Sequence, residues 1–341
     1  MTTQSKRAER ANLPELAPLV PTPVYDTYWR FAVERQNIFY RRIEHPFGLF
    51  TTDPILARHK FTNAYRASDR VSQFLIRHVI GSCEKDARDI VFRVLLFKFF
   101  NKIETWQLLE RKIGEIRWRT FRRQRYVDVL DRAMASGTRV YSAAYIMPAA
   151  SRFEGARKHE THLRLLEHML GQGLAEQIER ARTMRAAFEL LREYPMMGDF
   201  LAYQFVTDIN YSEMVRYSEM EFVVPGPGAR DGLRKCFASL GGLSEADVIR
   251  LIAERQQLEF ERLGLTFKSL WGRPLQLIDC QNLLCEVDKY ARVAHPEIAG
   301  LSGRTRIKQV FEPNPTPIQY VYPSKWGINE KVAASMPRGV T

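Results

Sequence analysis

The sequence predicts a mainly α-helical globular protein, and three observations support that fold class. Between residue 24 and about residue 300, apolar residues recur at spacings of three and four, which is the period of amphipathic helices. Stretches with the alternating pattern of strands are few and occur at 192–198, 215–228 and 318–323. Hydrophobic residues make up 45% and charged residues 26% of the 341-residue chain, a balance typical of proteins with a packed core.

The predicted helices lie between two arms. Residues 1–23 contain the proline-dotted stretch LPELAPLVPTP, which predicts an extended arm. The helical body covers residues 24–311, and its clearest helical segments are 27–43, 89–113, 163–194 and 244–264. Residues 312–341 return to a proline-rich pattern and are predicted to form an extended tail.

An excess of basic residues indicates a polyanionic partner. Lys and Arg number 51 against 39 acidic residues, a formal net charge of +12, and nucleic acid is the commonest partner of such proteins. A coding bias toward arginine is the alternative explanation. The chain has no apolar run long enough to cross a membrane, no secretory signal pattern, and too few cysteines for a disulfide framework. We therefore expect a cytoplasmic protein that binds nucleic acid and no membrane.

The stretch RKIGEIRWRTFRRQRY, residues 111–126, is the most basic part of the chain. Cations can neutralise backbone phosphates while Trp118, Phe121 and Tyr126 stack on bases. The alternative is an exposed basic helix whose aromatic rings are buried. The expected DNA-binding residues here are Arg117, Arg119, Arg122 and Arg123.

The stretch KFTNAYRASDRVSQFLIR, residues 60–77, predicts a helix with an arginine-bearing face. At 100° per residue one face collects the polar side chains Asn63, Arg66, Arg70, Gln73 and Arg77. Guanidinium groups suit phosphates and base edges, because their paired donors match paired acceptors. A solvated helix face is the alternative.

The stretch LIDCQNLLCEVDKYARV, residues 277–293, predicts a helix with a mixed polar stripe. Opposite its apolar face it carries Asp279, Asn282, Glu286 and Lys289. This stripe is either a solvated face or one wall of a polar binding site, and the pattern alone supports both equally.

Two glycine-containing stretches, 192–214 and 223–237, lead into helices. Exposed backbone amides at such helix starts can hold phosphate, so Gly198, Gly226 and Gly228 are expected to contact DNA, together with Lys235. Neither stretch is a Walker A loop or a dinucleotide-binding GxGxxG motif.

The sequence predicts no metal site, no cofactor and no nucleophilic serine or cysteine motif. His159 and His162 lie one helical turn apart, but no acid or cysteine pattern completes a metal site around them.

Several of these stretches together resemble a known family. They are FTNAYRASDRVSQFLI, VLLFKFFNKIETW, PMMGDFLAYQFVTDINYSE, VVPGPGARDGL, LQLIDCQNLLCEVDKYARV and GRTRIKQVF. They resemble the helical domain first described beside 5-hydroxymethyluracil DNA kinases and grouped with the α-glutamyl/putrescinyl-thymine pyrophosphorylases. That group serves base hypermodification of bacteriophage DNA. The resemblance extends to free-standing bacterial members, among them anti-phage DNA glycosylases that excise glucosylated hydroxymethylcytosine.

The resemblance implies a helix-hairpin-helix DNA-glycosylase fold for the body. Its hairpin would be YPMMG, in which Met196 departs from the family's LPGVG pattern, followed by the helix DFLAYQFVTD. Glycosylases of that fold carry a catalytic carboxylate about twenty residues past the last hairpin glycine, which here is near YSEMEF. Glu219 is therefore the first catalytic candidate, followed by Asp208 and Glu221.

Two chemistries are open, and we favour a DNA glycosylase that flips out and excises a hypermodified pyrimidine in anti-phage defence. The alternative is a transferase that displaces phosphate or pyrophosphate from an activated 5-hydroxymethyl-pyrimidine in DNA with an amine or amino acid. In either case the polar face of residues 60–77 and the polar stripe of residues 277–293 would face each other across a cleft. Arg66 and Arg70 would then pair with Asp279 and Glu286. The expected base-binding residues are Asn63, Arg66, Asp69, Arg70, Gln204, Asp279, Asn282, Glu286, Asp288 and Lys289.

Overall fold

Helix α4 (Ala87–Phe100) occupies the centre of the fold in the computed structural model. Every residue of α4 except Arg88 is buried, as expected for a helix that is apolar on almost every side. Its two buried cations need internal partners, since an isolated buried charge is costly. Arg93 donates to the backbone carbonyls of Val79 and Ile116, and Lys98 reaches the candidate site described below.

The structure describes residues 18–45, 48, 50–81, 86–143, 147–148, 157–314 and 316–336. Within these ranges the α-helices are α1 (Pro23–Glu44), α2 (Pro54–Arg58), α3 (Arg70–Phe74), α4, α5 (Ile103–Ile113), α6 (Arg123–Ala135), α7 (Lys158–Gly171), α8 (Leu174–Arg180), α9 (Met184–Arg192), α10 (Asp199–Ile209), α11 (Pro227–Cys236), α12 (Glu245–Arg262), α13 (Leu277–Ala294) and α14 (Asn329–Ser335). One antiparallel strand pair, β1 (Val20–Pro21) with β2 (Phe237–Ser239), joins them. The mainly α-helical class is confirmed. None of these helices is both long and apolar enough to cross a membrane.

The start of the chain belongs to the body from residue 18 onward. Thr22 caps α1, and its backbone N–H donates to the carbonyl of Cys236 at 2.8 Å. The described part of the predicted N-terminal arm is therefore tied down by β1, and the helical body begins at Pro23. Residues 1–17 of that arm lie outside the described residues.

Residues 316–336, expected to belong to an extended tail, pack against the body instead. The side chain of Tyr322 is 1% exposed, and α14 follows shortly after it. The rings of Tyr320, Tyr322 and Trp326 stack in series. Burial of this aromatic surface stabilises the docked segment, whereas a solvated tail would leave the rings in water.

Glycines allow α11 to approach α13 closely. A Cβ on Gly232 would lie 2.1 Å from the carbonyl oxygen of Leu284, and one on Gly228 would lie 3.1 Å from Sγ of Cys285. A Cβ on Gly226 would lie 2.6 Å from the ring of Phe200. Glycine at these positions thus serves close packing, and the DNA contacts expected of Gly226 and Gly228 stay predictions.

Lys235 also has an internal role. It is 2% exposed, and its ammonium group lies 3.0 Å from the Asp288 carboxylate on α13 and donates to the Asp288 carbonyl oxygen. The predicted contact of Lys235 with DNA is wrong, because a buried and paired cation cannot reach a phosphate backbone.

Helices α9 and α10 pack against each other and occupy the place predicted for the helix-hairpin-helix. In the turn between them, Met196 has φ +74°, in the left-handed region that favours glycine. Gly198 has φ −67°, and a Cβ there would meet no atom within 4 Å. Position 198 therefore does not need the conformational freedom of glycine, since the left-handed residue comes two positions earlier.

Candidate active site

The polar stripe of α13 faces residues 60–69 and not bulk water. Residues 60–77 do not form one helix: an extended segment leads into a short 3₁₀ turn at Arg66–Ser68, and α3 begins at Arg70. Three carboxylates hold this segment by accepting backbone N–H groups: Glu286 from Thr62 at 3.0 Å, Asp69 from Asn63 at 2.9 Å, and Asp279 from Arg66 at 2.9 Å. We call this arrangement the carboxylate cradle.

The cradle directs the Arg66 side chain into the protein, where it meets Asp208. The two guanidinium nitrogens Nη1 and Nη2 lie 2.5 and 3.1 Å from the two Asp208 oxygens. Lys98 of α4 lies 3.0 Å from the same carboxylate. Burial alone would raise the pKa of Asp208, but the charges of Arg66 and Lys98 outweigh burial and hold it below its ordinary value. Arg66 also donates to Gln204 Oε1 and to the Tyr211 hydroxyl.

Glu219 is held between two side chains that are distant in sequence. Its Oε1 accepts from Arg273 Nη2 at 2.7 Å and from Trp326 Nε1 at 2.9 Å, and its side chain is 8% exposed. The Arg273 guanidinium lies 3.9 Å from the centre of the Trp326 ring, a close cation–π contact. Within the described part of the chain, Arg273 Nε is buried without a hydrogen-bond partner.

Tyr211 connects the Glu219 group to the Arg66–Asp208 pair. Its ring meets Trp326 edge-on at 5.9 Å between centroids, while the Arg66 guanidinium lies 5.7 Å from its centre. Next to it, Lys325 Nζ donates to the carbonyls of Ser212 and Val215, and burial lowers the Lys325 pKa to about 8. Acid, base and aromatic groups from α10, the 210–221 loop and the C-terminal segment thus meet in one place.

Two acids of the cradle have strongly shifted pKa values. Burial, helped by the nearby charge of Glu219, outweighs the two backbone N–H groups that favour the anion and raises the pKa of Asp279 to about 7. Burial likewise raises the pKa of Asp69 to about 7, with Glu286 adding to the effect. Shifts of this size cluster at functional sites, although structural networks produce them too.

Comparisons with known proteins point to a single family. Residues 22–300 match the model for "5-hmdU DNA kinase, helical domain". The chain belongs to this family. The 5-hmdU DNA kinase of Bacillus phage SP10 is 27% identical over 288 residues, which cover 78% of this chain and 45% of the phage protein. The chain thus spans less than half the length of that curated relative, and no solved structure matches it.

Membership of the 5-hmdU DNA kinase helical-domain family confirms the resemblance seen in the sequence motifs. The helix-hairpin-helix DNA-glycosylase fold is not confirmed, because no solved structure supports it. The family match ends at residue 300, and Lys325 and Trp326 both lie beyond it. A segment outside the family's matched region therefore completes the candidate site.

Glu221 lies two residues from Glu219 but has a different environment. Its two oxygens accept from the backbone N–H groups of Met184 at 2.8 Å and Arg185 at 3.1 Å, the first two residues of α9. A carboxylate in this position caps a helix and complements its dipole. This geometry gives Glu221 a structural role and leaves Glu219 as the carboxylate with aromatic and cationic neighbours.

The predicted pairing across a cleft is wrong. Arg66 pairs with Asp208, and Arg70 donates to the Thr316 carbonyl at 2.7 Å, so neither guanidinium meets Asp279 or Glu286. The sequence pattern assumed one straight helix over residues 60–77, whereas the extended backbone before Arg66 presents its N–H groups to those acids.

Other expected base-binding residues mostly have partners within the fold. Asn63 accepts from Arg35 and donates to the Ser68 carbonyl. Lys289 donates to the Lys60 carbonyl and pairs with Glu286. Asp288 pairs with Lys235 and Arg292, Gln204 contacts Arg66, and Asn282 is partly exposed.

The basic stretch 111–126 divides into buried rings and exposed cations. Phe121 and Tyr126 are buried, which matches the alternative interpretation of this stretch and prevents them from stacking on bases. Arg117 pairs with Asp89 and Glu115, and Arg123 pairs with Glu160 and Glu167. Arg119 and Arg122 are exposed and stay candidates for phosphate contacts, and Arg111, Lys112 and Arg125 are exposed in the same stretch.

Several site residues were missed from the sequence, above all Arg273, Trp326, Tyr211 and Lys98. Trp326 and Tyr322 stand in YPSKWG, where two aromatic residues near a proline and a glycine indicate a docked segment. Lys98 stands inside the apolar run VLLFKFF, and a cation in such a run needs a buried partner. Across the described residues, no group of three or more His, Cys, Asp or Glu side chains is placed to hold a metal ion.

Proposed function

We propose that this chain acts in the hypermodification of DNA bases, as a transferase on an activated 5-hydroxymethyl-pyrimidine. The phage relative is by name a kinase of 5-hmdU in DNA, which places the family beside 5-hydroxymethylated pyrimidines. We assign this chain a step that uses the activated base, in which acidic, cationic and aromatic side chains of one site act together.

One observation carries the proposal: Glu219 is clasped by Arg273 and Trp326. A guanidinium can bind a phosphate oxygen and a carboxylate can accept a proton. The indole, which stacks with Tyr322 and carries Arg273 over its ring, holds the carboxylate in place through its N–H. Arg273 Nε is buried with no partner among the described residues, while the Arg273 side chain as a whole is 16% exposed and can meet an incoming anion. Both Arg273 and Trp326 keep part of their surface in solvent.

The proposed step is a substitution at the methylene carbon attached to C5 of the base. The amine nitrogen of the co-substrate forms a bond to this carbon while the carbon–oxygen bond to phosphate or pyrophosphate breaks. The leaving group takes the electron pair, and Arg273 stabilises its charge. The amine loses one proton to Glu219. The products are an aminomethylated base in intact DNA and free phosphate or pyrophosphate.

The base must leave the duplex to reach this site, since a stacked base hides its substituents. Arg66 and Asp208 support the site from behind: their buried pair holds Tyr211 against Trp326. Such packing keeps Trp326, and with it Glu219, in a fixed orientation, which favours a reactive geometry.

The comparisons favour the transferase over the glycosylase, because the named relative modifies the base. A glycosylase would use the same carboxylate to stabilise charge on the sugar and would release the base. The two chemistries therefore leave different products from the same DNA.

The deciding experiment incubates the protein with DNA that carries phosphorylated or pyrophosphorylated 5-hydroxymethyl-pyrimidine, together with a mixture of amines and amino acids. Mass spectrometry of nucleosides should reveal a heavier base in intact DNA, and phosphate release should match it in amount. Free base together with abasic sites would establish the glycosylase instead. An unchanged DNA with every amine tested would reject the transferase.

A further inference from the structure

A surface of exposed cations lies on two paired chain segments after α2 and after α13. The backbone N–H of Lys60 donates to the Gln309 carbonyl at 3.1 Å, and that of Phe311 donates to the Arg58 carbonyl at 3.0 Å. His59 and Val310 form the antiparallel bridge between them. The exposed cations on these segments and the adjoining loop, here called the basic ridge, are Arg58, Lys60, Arg304, Arg306 and Lys308.

The cations of the basic ridge are not neutralised by the protein. Across the described residues, none of the five forms an ion pair, whereas Arg117 and Arg123 of the 111–126 stretch both do. On α13, Glu286 pairs with Lys289 and Asp288 pairs with Lys235. Exposed and uncompensated positive charge creates a local potential that attracts a polyanion.

The loop that carries the basic ridge is anchored to the body. Asp231 of α11 accepts from the backbone N–H of Ser302 at 2.9 Å, and Arg292 of α13 donates to the Arg306 carbonyl at 3.1 Å. The cations therefore project from a backbone that is held at both ends, so that binding loses less conformational entropy than with a free tail.

The basic ridge leads directly to the candidate active site. Lys289 donates to the Lys60 carbonyl, and the carboxylate cradle then holds the chain as far as Arg66, which enters the site. Lys60 and Arg66 are six residues apart in sequence, so that at most roughly 20 Å of chain separates them. A polyanion bound on the ridge would thus lie within a few nucleotides of the site.

We propose that the basic ridge binds the sugar-phosphate backbone of the DNA strand whose base enters the site. This inference rests on the proposed function for its choice of DNA. Arg and Lys on an extended segment neutralise phosphates without reading bases, which suits a site that selects a modified base by its own chemistry. Val310, 59% exposed, gives the ridge an apolar edge, so anionic membrane lipid is the competing partner.

The test removes charge from the basic ridge without touching the site. The ridge variant carries Arg304→Gln, Arg306→Gln and Lys308→Gln. The control carries Arg180→Gln, Arg182→Gln and Arg255→Gln, which lie in α8, the turn between α8 and α9, and α12, all outside the ridge. Affinity for a short duplex and for the same single strand is measured over a range of KCl concentrations. The slope of log affinity against log salt should flatten by roughly 0.9 per lost phosphate contact for duplex and about 0.7 for single strand.

A slope equal to that of the parent protein in the ridge variant would overturn the proposal, and so would an equal flattening in the control. Binding to phosphatidylserine vesicles that is lost in the ridge variant, with DNA binding unchanged, would assign the surface to lipid instead. Equal melting temperatures in the three proteins confirm that only charge has changed.

The outcome is separable from that of the proposed function. If no modified base forms but the ridge variant shows the flattened slope, the ridge stands and the transferase fails. If the modified base forms at saturating DNA with an unchanged slope, the transferase stands and the ridge fails.

Discussion

The indole N–H of Trp326 donates to Glu219 at 2.9 Å, although 107 residues separate them in sequence. This bond fixes the orientation of the carboxylate and ties the C-terminal segment to the loop that follows α10.

We expect Trp326→Phe, which keeps an aromatic ring but removes the N–H, to lower turnover while leaving most of the DNA affinity intact. Single-turnover product formation measures the rate, and a titration of the protein with DNA measures the affinity. Tyr322→Phe is the matched control, since it removes only a hydrogen bond to Ser68. Equal losses in both variants would mean that the segment acts through stability alone.

Replacement of Glu219 tests the proposed base catalyst. Glu219→Gln keeps the size of the side chain but cannot accept the amine proton, so turnover should fall by roughly 10²- to 10⁴-fold. Binding of DNA should change little, because affinity comes mainly from phosphate contacts. Quenched single-turnover assays provide the rate.

Glu221→Gln is the control for this variant. It weakens the cap of α9 and should lower stability by about 0.5–2 kcal/mol while turnover persists at permissive temperature. Turnover lost in Glu221→Gln and retained in Glu219→Gln would exchange the two roles.

Removal of the Asp208 charge should destabilise the protein. Asp208→Asn leaves Arg66 and Lys98 buried without a counter-charge, which costs about 3–5 kcal/mol. The folded-state pKa of Asp208 lies below its ordinary value of 3.8, so that its stabilisation is complete above that pH and is lost as the pH falls through the folded pKa. The stability gap between parent and variant should therefore stay constant from about pH 5 to 7 and shrink below about pH 4. Urea unfolding at each pH measures the gap, and a gap that widens in acid would contradict the assignment.

Two glycine substitutions distinguish packing from backbone conformation. Gly232→Ala places a Cβ 2.1 Å from a carbonyl oxygen of α13 and must separate the two helices, at a cost of about 1–3 kcal/mol. Gly198→Ala meets no atom within 4 Å at φ −67°, so only the poorer preference of Ala for the N-cap of α10 remains, a cost of about 1 kcal/mol or less. Thermal melts of both variants compare the two losses of stability. A larger loss for Gly198→Ala than for Gly232→Ala would contradict this prediction.

The helices were predictable from the sequence because their apolar period is a local property. The backbone path of residues 60–77 was not predictable, although the amino-acid pattern of this stretch fits a helix. Its backbone N–H groups bond to Glu286 and Asp279, more than 200 residues away, and these long-range bonds override the local preference.

Only some members of the candidate site were predictable. Glu219, Arg66 and Asp208 were all identified from motifs, but their partners come from tertiary packing. Arg66 meets Asp208 and not Asp279, since the turn at residues 66–68 points its side chain toward α10. Trp326 was missed because prolines nearby suggested a solvated tail, whereas the buried aromatic rings decide where that segment lies.

The burial of α4 on nearly all sides has a consequence for the order in which the protein opens. Its amide hydrogens are shielded by helices of several segments, and Lys98 is tied to Asp208 on α10. A local fluctuation cannot release this helix without breaking those contacts together. Deuterium should therefore enter α4 only when the whole domain unfolds, long after it has labelled α14 and the loop of the basic ridge.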